Sequence, residues 1–331
     1  MKAPGFWSNP PDRPGWQASA LAPLAMIWKH VTARRIARGG AVEVGAPVLC
    51  IGNLTAGGTG KTPMVAALMA RLSQQGIVAH VVSRGYGGTI AGPHLVDPLE
   101  DTAADVGDEP LMLAARGLVW VAKDRIAGAK AAVAGGAKLI LLDDGFQNPG
   151  LHKDGAIVMI DAGAGFGNGH IIPAGPLREP IADGLARADL AVLIGADSEI
   201  AKVQQLWPAL DALPNIEACL APVQTGLPIS GEDVIAFAGI GRPAKFFDTL
   251  RGMNANLIAT HGFPDHHAYA PKIIRRLIAE ARARDAMLVT TEKDAVRLPA
   301  SLRPEVLTIQ VDLEPADWAP IDALVSRLVG A

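Results

Sequence analysis

A short apolar run, Pro47-Val48-Leu49-Cys50-Ile51-Gly52, leads through four residues into Gly57-Gly58-Thr59-Gly60-Lys61-Thr62-Pro63. The run reads as a buried strand. Beyond the turn, Met64, Val65, Leu68, Met69 and Leu72 recur at helical spacing. Strand, glycine turn, Gly-Lys-Thr and helix make a phosphate-binding loop. Glycines let backbone N–H groups converge on phosphate oxygens, and the helix N-terminus adds a favourable dipole. Lys61 would reach the outer phosphates and the Thr62 hydroxyl a Mg²⁺ ion. Pro63 is tolerated in the first helical turn, where its missing N–H breaks no bond. One position departs from the general pattern: Thr55 stands where a glycine is expected.

Apolar segments at Ile77–Ser83, Leu118–Ala122, Lys138–Leu142, Ala156–Ile160 and Leu190–Ile194 read as further strands. Helical patterns fill Met64–Gln75 and Arg125–Ala134. The alternation predicts an α/β fold, a parallel sheet flanked by helices, with ligands beyond the carboxyl ends of the strands. A second set follows a Pro/Gly-punctuated stretch at Pro222–Pro228. Strands are expected at Val234–Ala238, Leu257–Thr260 and Met287–Thr291, with helices at Ala244–Arg251 and Pro271–Arg284. This predicts three parts: an N-terminal helical segment (1–40), a phosphate-loop domain (41–224) and a smaller α/β domain (225–331). The last helix, Ile321–Leu328, is free to dock back on the first domain.

Of the 331 residues, 50% are apolar, enough for one large core or two smaller ones. A net charge of −3 gives no nucleic-acid footprint. Cys50 and Cys219 are the only cysteines, which suits a reducing compartment rather than a disulfide framework. The N-terminal segment is helical from Gln17 to Arg38, with Leu21, Leu24, Trp28 and Val31 on one face and Lys29, Arg34, Arg35 and Arg38 toward its end. It is too short in apolar residues to span a membrane. Two readings stand: a helix lying in a membrane interface, or a helix packed on its own domain.

Leu139-Ile140-Leu141-Leu142 runs into Asp143-Asp144-Gly145-Phe146-Gln147. A strand ending in aspartate is the usual Mg²⁺-holding partner of a phosphate loop. Neighbouring strand residues point oppositely, so either Asp143 or Asp144 faces the metal. Asp105-Val106-Gly107-Asp108-Glu109-Pro110 is a second acidic cluster, readable as an acidic helix start or as the source of a general base. Phe263-Pro264-Asp265-His266-His267 has no third metal ligand at suitable spacing. Thr290 to Arg297 reads as a capped helix start with local ion pairs. Arg84, Arg125 and Arg178 offer cations to anionic oxygens.

Together these segments resemble the tetraacyldisaccharide 4′-kinase family. The matching residues are Gly52-Asn53-Leu54-Thr55 through Pro63, Ser83-Arg84-Gly85-Tyr86-Gly87, Asp105 to Pro110, Asp143 to Gln147 and Pro173 to Glu179. In the second domain they are Gly239-Ile240-Gly241-Arg242-Pro243 with Phe246-Phe247, Phe263 to His266, and Thr291 to Asp294. Thr55 is ordinary in that family. The resemblance implies ATP- and Mg²⁺-dependent phosphorylation of the 4′-hydroxyl of an acylated glucosamine disaccharide 1-phosphate in lipid A biosynthesis. It implies a peripheral seat at the cytoplasmic face of the inner membrane, with residues 17–38 as an interfacial helix. Thr55, Ala56, Gly57, Gly58, Thr59, Gly60, Lys61 and Thr62 would cradle ATP, and Thr62, Asp143 and Asp144 would serve the metal. Asp108 would be the base, with His266 its partner and Lys61 the third catalytic residue. Arg125, Arg178 and Glu109 would contact substrate. The alternative is a membrane-associated P-loop ATPase acting as a nucleotide-dependent switch, which has no need of Asp108 and His266 at a hydroxyl.

Overall fold

A computed structural model describes residues 3–223 and 229–330. A long helix, α1 (Trp16–Arg38), is followed by alternating elements. They are β1 (Val48–Gly52), α2 (Lys61–Gln74), β2 (Ala79–Ser83), β3 (His94–Leu95), α3 (Ala103–Val106), α4 (Asp108–Ala114), β4 (Val119–Val121) and α5 (Arg125–Ala134). Then come β5 (Leu139–Asp143), β6 (Gly155–Asp161), α6 (Ile181–Leu185), β7 (Leu190–Ile194), α7 (Asp197–Leu206) and β8 (Asn215–Pro222). A second run holds β9 (Asp233–Ala238), α8 (Pro243–Gly252), β10 (Asn256–Gly262), α9 (Pro271–Ala283), β11 (Met287–Thr291) and α10 (Glu292–Ala295). It closes with β12 (Leu307–Ile309), β13 (Val311–Pro315) and α11 (Ala319–Val329).

The strands form two sheets. The larger has the order β13-β8-β7-β6-β1-β5-β2-β4-β3 and the smaller β10-β9-β11-β12. All neighbours are parallel except the edge pairs β13–β8 and β3–β4. A parallel sheet covered on both faces needs apolar residues on both, so its central strands read as unbroken apolar runs. In β1, Leu49 and Ile51 enter one core beneath α2 and α11. Val48 and Cys50 enter the other, against α5. Burial pushes the Cys50 thiol up to about 12, so it is an inert core residue.

Most expected elements are present within a residue or two. The linker expected at Pro222–Pro228 lies largely outside the described residues, since 224–228 are not among them. Strands β3, β8, β12 and β13 were not expected. They are edge strands or their neighbours, where one-sided burial leaves little apolar signal. Strand β13 and helix α11 do not stay with the smaller sheet. β13 pairs with β8, and Leu313, Ile321, Leu324 and Val325 enter the core beneath α2. Arg71 of α2 and Gln75, just beyond its end, both bond Asp322 at the start of α11.

Helix α1 turns its large apolar side chains outward. Ala18, Ala25 and Thr32, seven residues apart, are its buried positions, while Leu24, Met26, Ile27, Trp28 and Val31 are exposed. Leu21 is half-buried. Small residues are what let the helix approach the protein closely, so the face of Leu24 and Val31 is not its packing face, and Trp28 at its border is about half exposed. Among the described residues, no helix is long and apolar enough to cross a membrane.

The hydrogen bond from Arg71 holds the Asp322 carboxyl below the usual carboxylate range. A depressed folded-state value adds stability that is complete above the unfolded value, near about 4, and disappears as pH falls through the folded value. Asp322→Asn is therefore expected to lower stability by ~0.2–1 kcal/mol at neutral pH, the range for a partly exposed pair. In urea unfolding the difference from wild type should shrink progressively as pH falls below about 4, toward and through the folded-state value. An undiminished difference there would remove the pair as its cause.

Candidate active site

The phosphate loop is braced from two sides. At the end of β1, a Cβ on Gly52 would lie 2.4 Å from Phe146 Cβ, so only glycine lets the Asp143–Gln147 turn pack here. The buried Asn53 side chain donates to Thr55 O at 2.8 Å and Gly57 O at 3.3 Å, curling the loop. Ala56 N donates to Pro176 O at 2.8 Å, and Arg178 N to Leu54 O at 2.7 Å. Thr55 forms a bridge with Leu177. This explains Thr55 where a glycine is general: the position is an extended residue clamped by a neighbouring segment, with no need of unusual torsions. Gly60, at φ +79°, does need them, and a Cβ there would meet Ile194 at 2.3 Å. Gly60 caps α2 without a side-chain acceptor, leaving the first N–H groups of a 14-residue helix for an anion. The buried Thr59 hydroxyl has no partner.

Parallel pairing sets the next residue. Ile51 of β1 lies opposite Asp143 of β5, so the carboxylate sits beside the root of the loop. Asp143 is 2% exposed. Ser83 Oγ donates to its Oδ2 at 3.2 Å, and its Oδ1 has no partner. Burial, then the nearby Glu109 charge, push this carboxyl up to about 7 against the pull of Lys61. Asp144 differs in every respect. Its φ of +49° turns the side chain out of the strand direction. Its Oδ1 meets Arg178 at 3.0 Å and Lys61 Nζ at 3.5 Å. Burial raises its carboxyl, but Lys61 and Arg178 outweigh this and hold it low. Of the two aspartates, Asp143 carries the buried oxygen that lacks a partner. Among the described residues, no cluster of three or more His, Cys, Asp or Glu side chains could hold a metal. Mg²⁺ takes one or two protein oxygens and fills its shell with phosphates and water, so an orphaned carboxylate oxygen beside the root of the loop suits it.

Arg125 Nη2 donates to Asp144 O at 3.0 Å, and its buried Nε has no partner. Arg178 also bonds Gln147 Oε1 at 3.3 Å. Gln147 in turn donates to Asn53 O and Glu179. Arg84 is exposed.

The second acidic cluster opens α4. Gly107, at φ +93°, lies so near Tyr86 O that a Cβ would come within 2.6 Å. The next residue, Asp108, is 5% exposed. Its partners come from the smaller sheet. His266 Nδ1 bonds Asp108 Oδ2 at 2.9 Å. Burial pushes the Asp108 carboxyl up, but the His266 hydrogen bond and the Lys293, His266 and Arg297 charges prevail and hold it below the usual range. His266 adopts φ +56°, and the Tyr86 ring meets it edge-on at 5.7 Å. Lys293 Nζ reaches Glu109 at 3.0 Å and His266 Nε2 at 3.4 Å. His267 takes no part, its ring stacking on Phe263 at 4.9 Å. A second bridge between the sheets joins Arg242 and Lys245 to Asp161 at the end of β6.

The structure thus gathers Lys61, Asp143, Asp144, Arg125 and Arg178 at one strand-end mouth, with Asp108, Glu109 and His266 at the adjoining junction of the sheets. The segment Thr290 to Arg297 is the capped helix start with a local ion pair that its sequence predicts, Thr291 capping α10 and Arg297 pairing with Asp294. Sequence reasoning missed that Lys293 and Arg297 also reach across the junction. Lys293 lies in α10 and Arg297 in the turn that follows it, and they reach neighbouring residues, Lys293 meeting Glu109 and Arg297 meeting Asp108. Sequence reasoning also missed Ser83, Asn53, Gln147 and Glu179 as supports.

A family model described as Tetraacyldisaccharide-1-P 4'-kinase matches residues 17–329. The chain is 56% identical over 329 residues to the Tetraacyldisaccharide 4'-kinase of Dinoroseobacter shibae, covering 99% of this chain and 98% of that one. It is 50% identical over 330 residues to the enzyme of that name from Jannaschia sp., covering 100% of both. The solved structure of LpxK from Aquifex aeolicus in complex with ATP aligns with TM-score 0.74 at 24% identity, over 94% of this chain and 99% of that one. The same loop, strand-end aspartates and bridged acidic cluster therefore stand in a chain that belongs to the tetraacyldisaccharide 4′-kinase family.

Proposed function

We propose that the chain transfers the γ-phosphoryl group of ATP to the 4′-hydroxyl of a tetraacylated glucosamine disaccharide 1-phosphate. The observation that carries this is the 2.9 Å hydrogen bond between His266 and the buried Asp108, made from opposite sheets. A nucleotide-dependent switch would leave that pair without a task. The loop from Thr55 to Thr62 and the α2 N-terminus bind the phosphates, with Lys61 on the outer ones. Thr62 and Asp143 are the residues that would hold Mg²⁺, which supplies charge neutralisation on the transferring group. Arg125, Arg178 and Glu109 border the acceptor. As the acceptor oxygen bonds to the γ-phosphorus, the bond to the β,γ-bridging oxygen breaks and ADP leaves. The hydroxyl proton passes to Asp108. His266 orients that carboxylate, and the cations around it keep it ionised and able to accept. Phosphoryl transfer asks little beyond this positioning and charge stabilisation.

Residues 41–223 with 311–329 would form the phosphate-loop unit and 229–309 the smaller unit. Helix α1 would seat the enzyme peripherally on the cytoplasmic face of the inner membrane. Its exposed Leu24, Met26, Ile27, Trp28 and Val31 support this, with Lys29, Arg34, Arg35 and Arg38 available to anionic head groups.

Incubation with γ-labelled ATP and a panel of lipid and sugar acceptors tests the reaction. Label is expected on the 4′-oxygen of the disaccharide 1-phosphate, with Lys61→Ala slower by about a hundredfold or more. Acceptor-independent release of phosphate as the sole activity would instead favour the switch. In the same assay, Asp143→Asn should raise the Mg²⁺ concentration needed for half-maximal turnover by about tenfold or more. If Asp144→Asn alone does so, the two aspartates exchange roles. For α1, Leu24→Glu with Trp28→Glu should abolish flotation with anionic vesicles. Unchanged flotation at low and high salt would show that this face does not bind the bilayer.

A further inference from the structure

Asp108 has a second cation on the same oxygen as His266. Arg297 Nε lies 3.3 Å from Asp108 Oδ2, and both side chains are nearly sealed from solvent, at 7% and 5% exposure. His266 is far more open, at 35%. Among the described residues, the other Asp108 oxygen, Oδ1, accepts only from the N–H of the next residue, Glu109, at 3.0 Å.

Arg297 is fixed within the smaller unit, independently of Asp108. Its Nε donates to Lys293 O at 3.0 Å, and its Nη1 to Gly239 O at 3.1 Å and His267 O at 3.2 Å. Its Nη2 lies 3.3 Å from Asp294 Oδ1. Asp294 is fully buried and already holds Gly239 N, the Tyr269 hydroxyl and the Thr291 hydroxyl. Nη2 itself makes no hydrogen bond. The guanidinium is thus pinned by carbonyls, with its Nε edge facing Asp108 Oδ2 and its Nη2 facing Asp294.

We infer that Arg297 is a positioning residue for Asp108, a preset buried cation that occupies the Oδ2 side of the carboxylate and leaves Oδ1 to take the proton of the acceptor hydroxyl. This rests on the reading of Asp108 as proton acceptor given above. His266 and Arg297 then divide one task. His266 supplies the directional hydrogen bond, and Arg297 supplies charge that does not depend on pH, since a guanidinium remains protonated. Arg297 acts only when the smaller unit is seated on α4, so the carboxylate is held only in the assembled site. Among the described residues, Arg297 bonds or pairs with Lys293, Gly239, His267, Asp294 and Asp108 and with no residue of the phosphate loop, so its loss should spare ATP binding.

Steady-state kinetics of Arg297→Met and Arg297→Lys, alone and with Asp108→Asn, test this. Arg297→Met is expected to lower kcat by about 30-fold or more, with the KM for ATP within about twofold. Arg297→Lys, which restores charge without the carbonyl bonds, should recover at least about threefold over Arg297→Met. In the Asp108→Asn background either change should cost less than about twofold further, because residues acting as a unit are non-additive. Equal losses in the Met and Lys variants, multiplying with the Asp108→Asn loss, would show that Arg297 is only structural and overturn the inference. Should Arg297→Met fail to fold, Arg297→Lys in the same cycle decides: a loss that multiplies with Asp108→Asn overturns the inference. A wild-type rate in Asp108→Asn alone would instead sink the reading of Asp108, a result distinct from failure at Arg297.

Discussion

A carboxylate buried as deeply as Asp108 stays ionised only where cations stand against it. In this chain the groups that stand against it, His266, Lys293 and Arg297, all come from the loops and short helix around the smaller sheet, while Asp108 opens a helix of the larger unit. The two sheets are therefore joined at the site by an electrostatic requirement. Separating them would leave Asp108 without its partners, and would also part Lys293 from Glu109. Arg116 makes a parallel bridge from beyond the end of α4, reaching Glu292 of α10 at 3.3 Å and Asp312 of β13 at 2.7 Å. Helices α4 and α10 are thus tied near both ends, and the short α10 presents Lys293 in a fixed pose.

The mouth of the larger sheet divides its charges by a similar logic. Asp143 lies buried with one oxygen uncommitted and its carboxyl pushed up to about 7. Asp144 is kept low by Lys61 and Arg178. Adjacent residues on one strand end thereby acquire opposite characters, one available to a cation and one holding the loop lysine. The segment carrying Arg178 is in turn bonded to the N-terminal region. Trp28 Nε1 donates to Arg178 O at 3.3 Å, and Trp7 Nε1 to Pro173 O at 3.0 Å. The helix proposed to meet the membrane is in direct contact with the loop that braces the phosphate site.

What the sequence made legible was what is local. The phosphate loop, the strand-end aspartates and the alternation of elements follow from periodicity and turn chemistry within a few residues of each other. The resemblance to a known family then linked Asp108 and His266 across about 150 positions, which no local pattern could have done. The choice between Asp143 and Asp144 stayed open because it depends on the φ of Asp144 and on Arg178, a side chain from another loop. The reach of Lys293 and Arg297 beyond their own segment was hidden because their targets lie across the junction of the sheets. The packing face of α1 was hidden for a different reason: its buried positions are small residues at seven-residue spacing, and of the large apolar ones that dominate the pattern Trp28 touches the protein through its indole N–H.

The proposed chemistry requires Asp108 and His266 to work as one unit across that junction. A double-mutant cycle of Asp108→Ala and His266→Ala, read in kcat with ATP affinity measured separately, addresses this most directly. Each single change should lower kcat by about a hundredfold or more while ATP affinity stays within about twofold, and the double variant should be little worse than the poorer single one. Losses that simply multiply in the double variant would contradict a shared role, and His266 would then be no more than a structural residue of its loop.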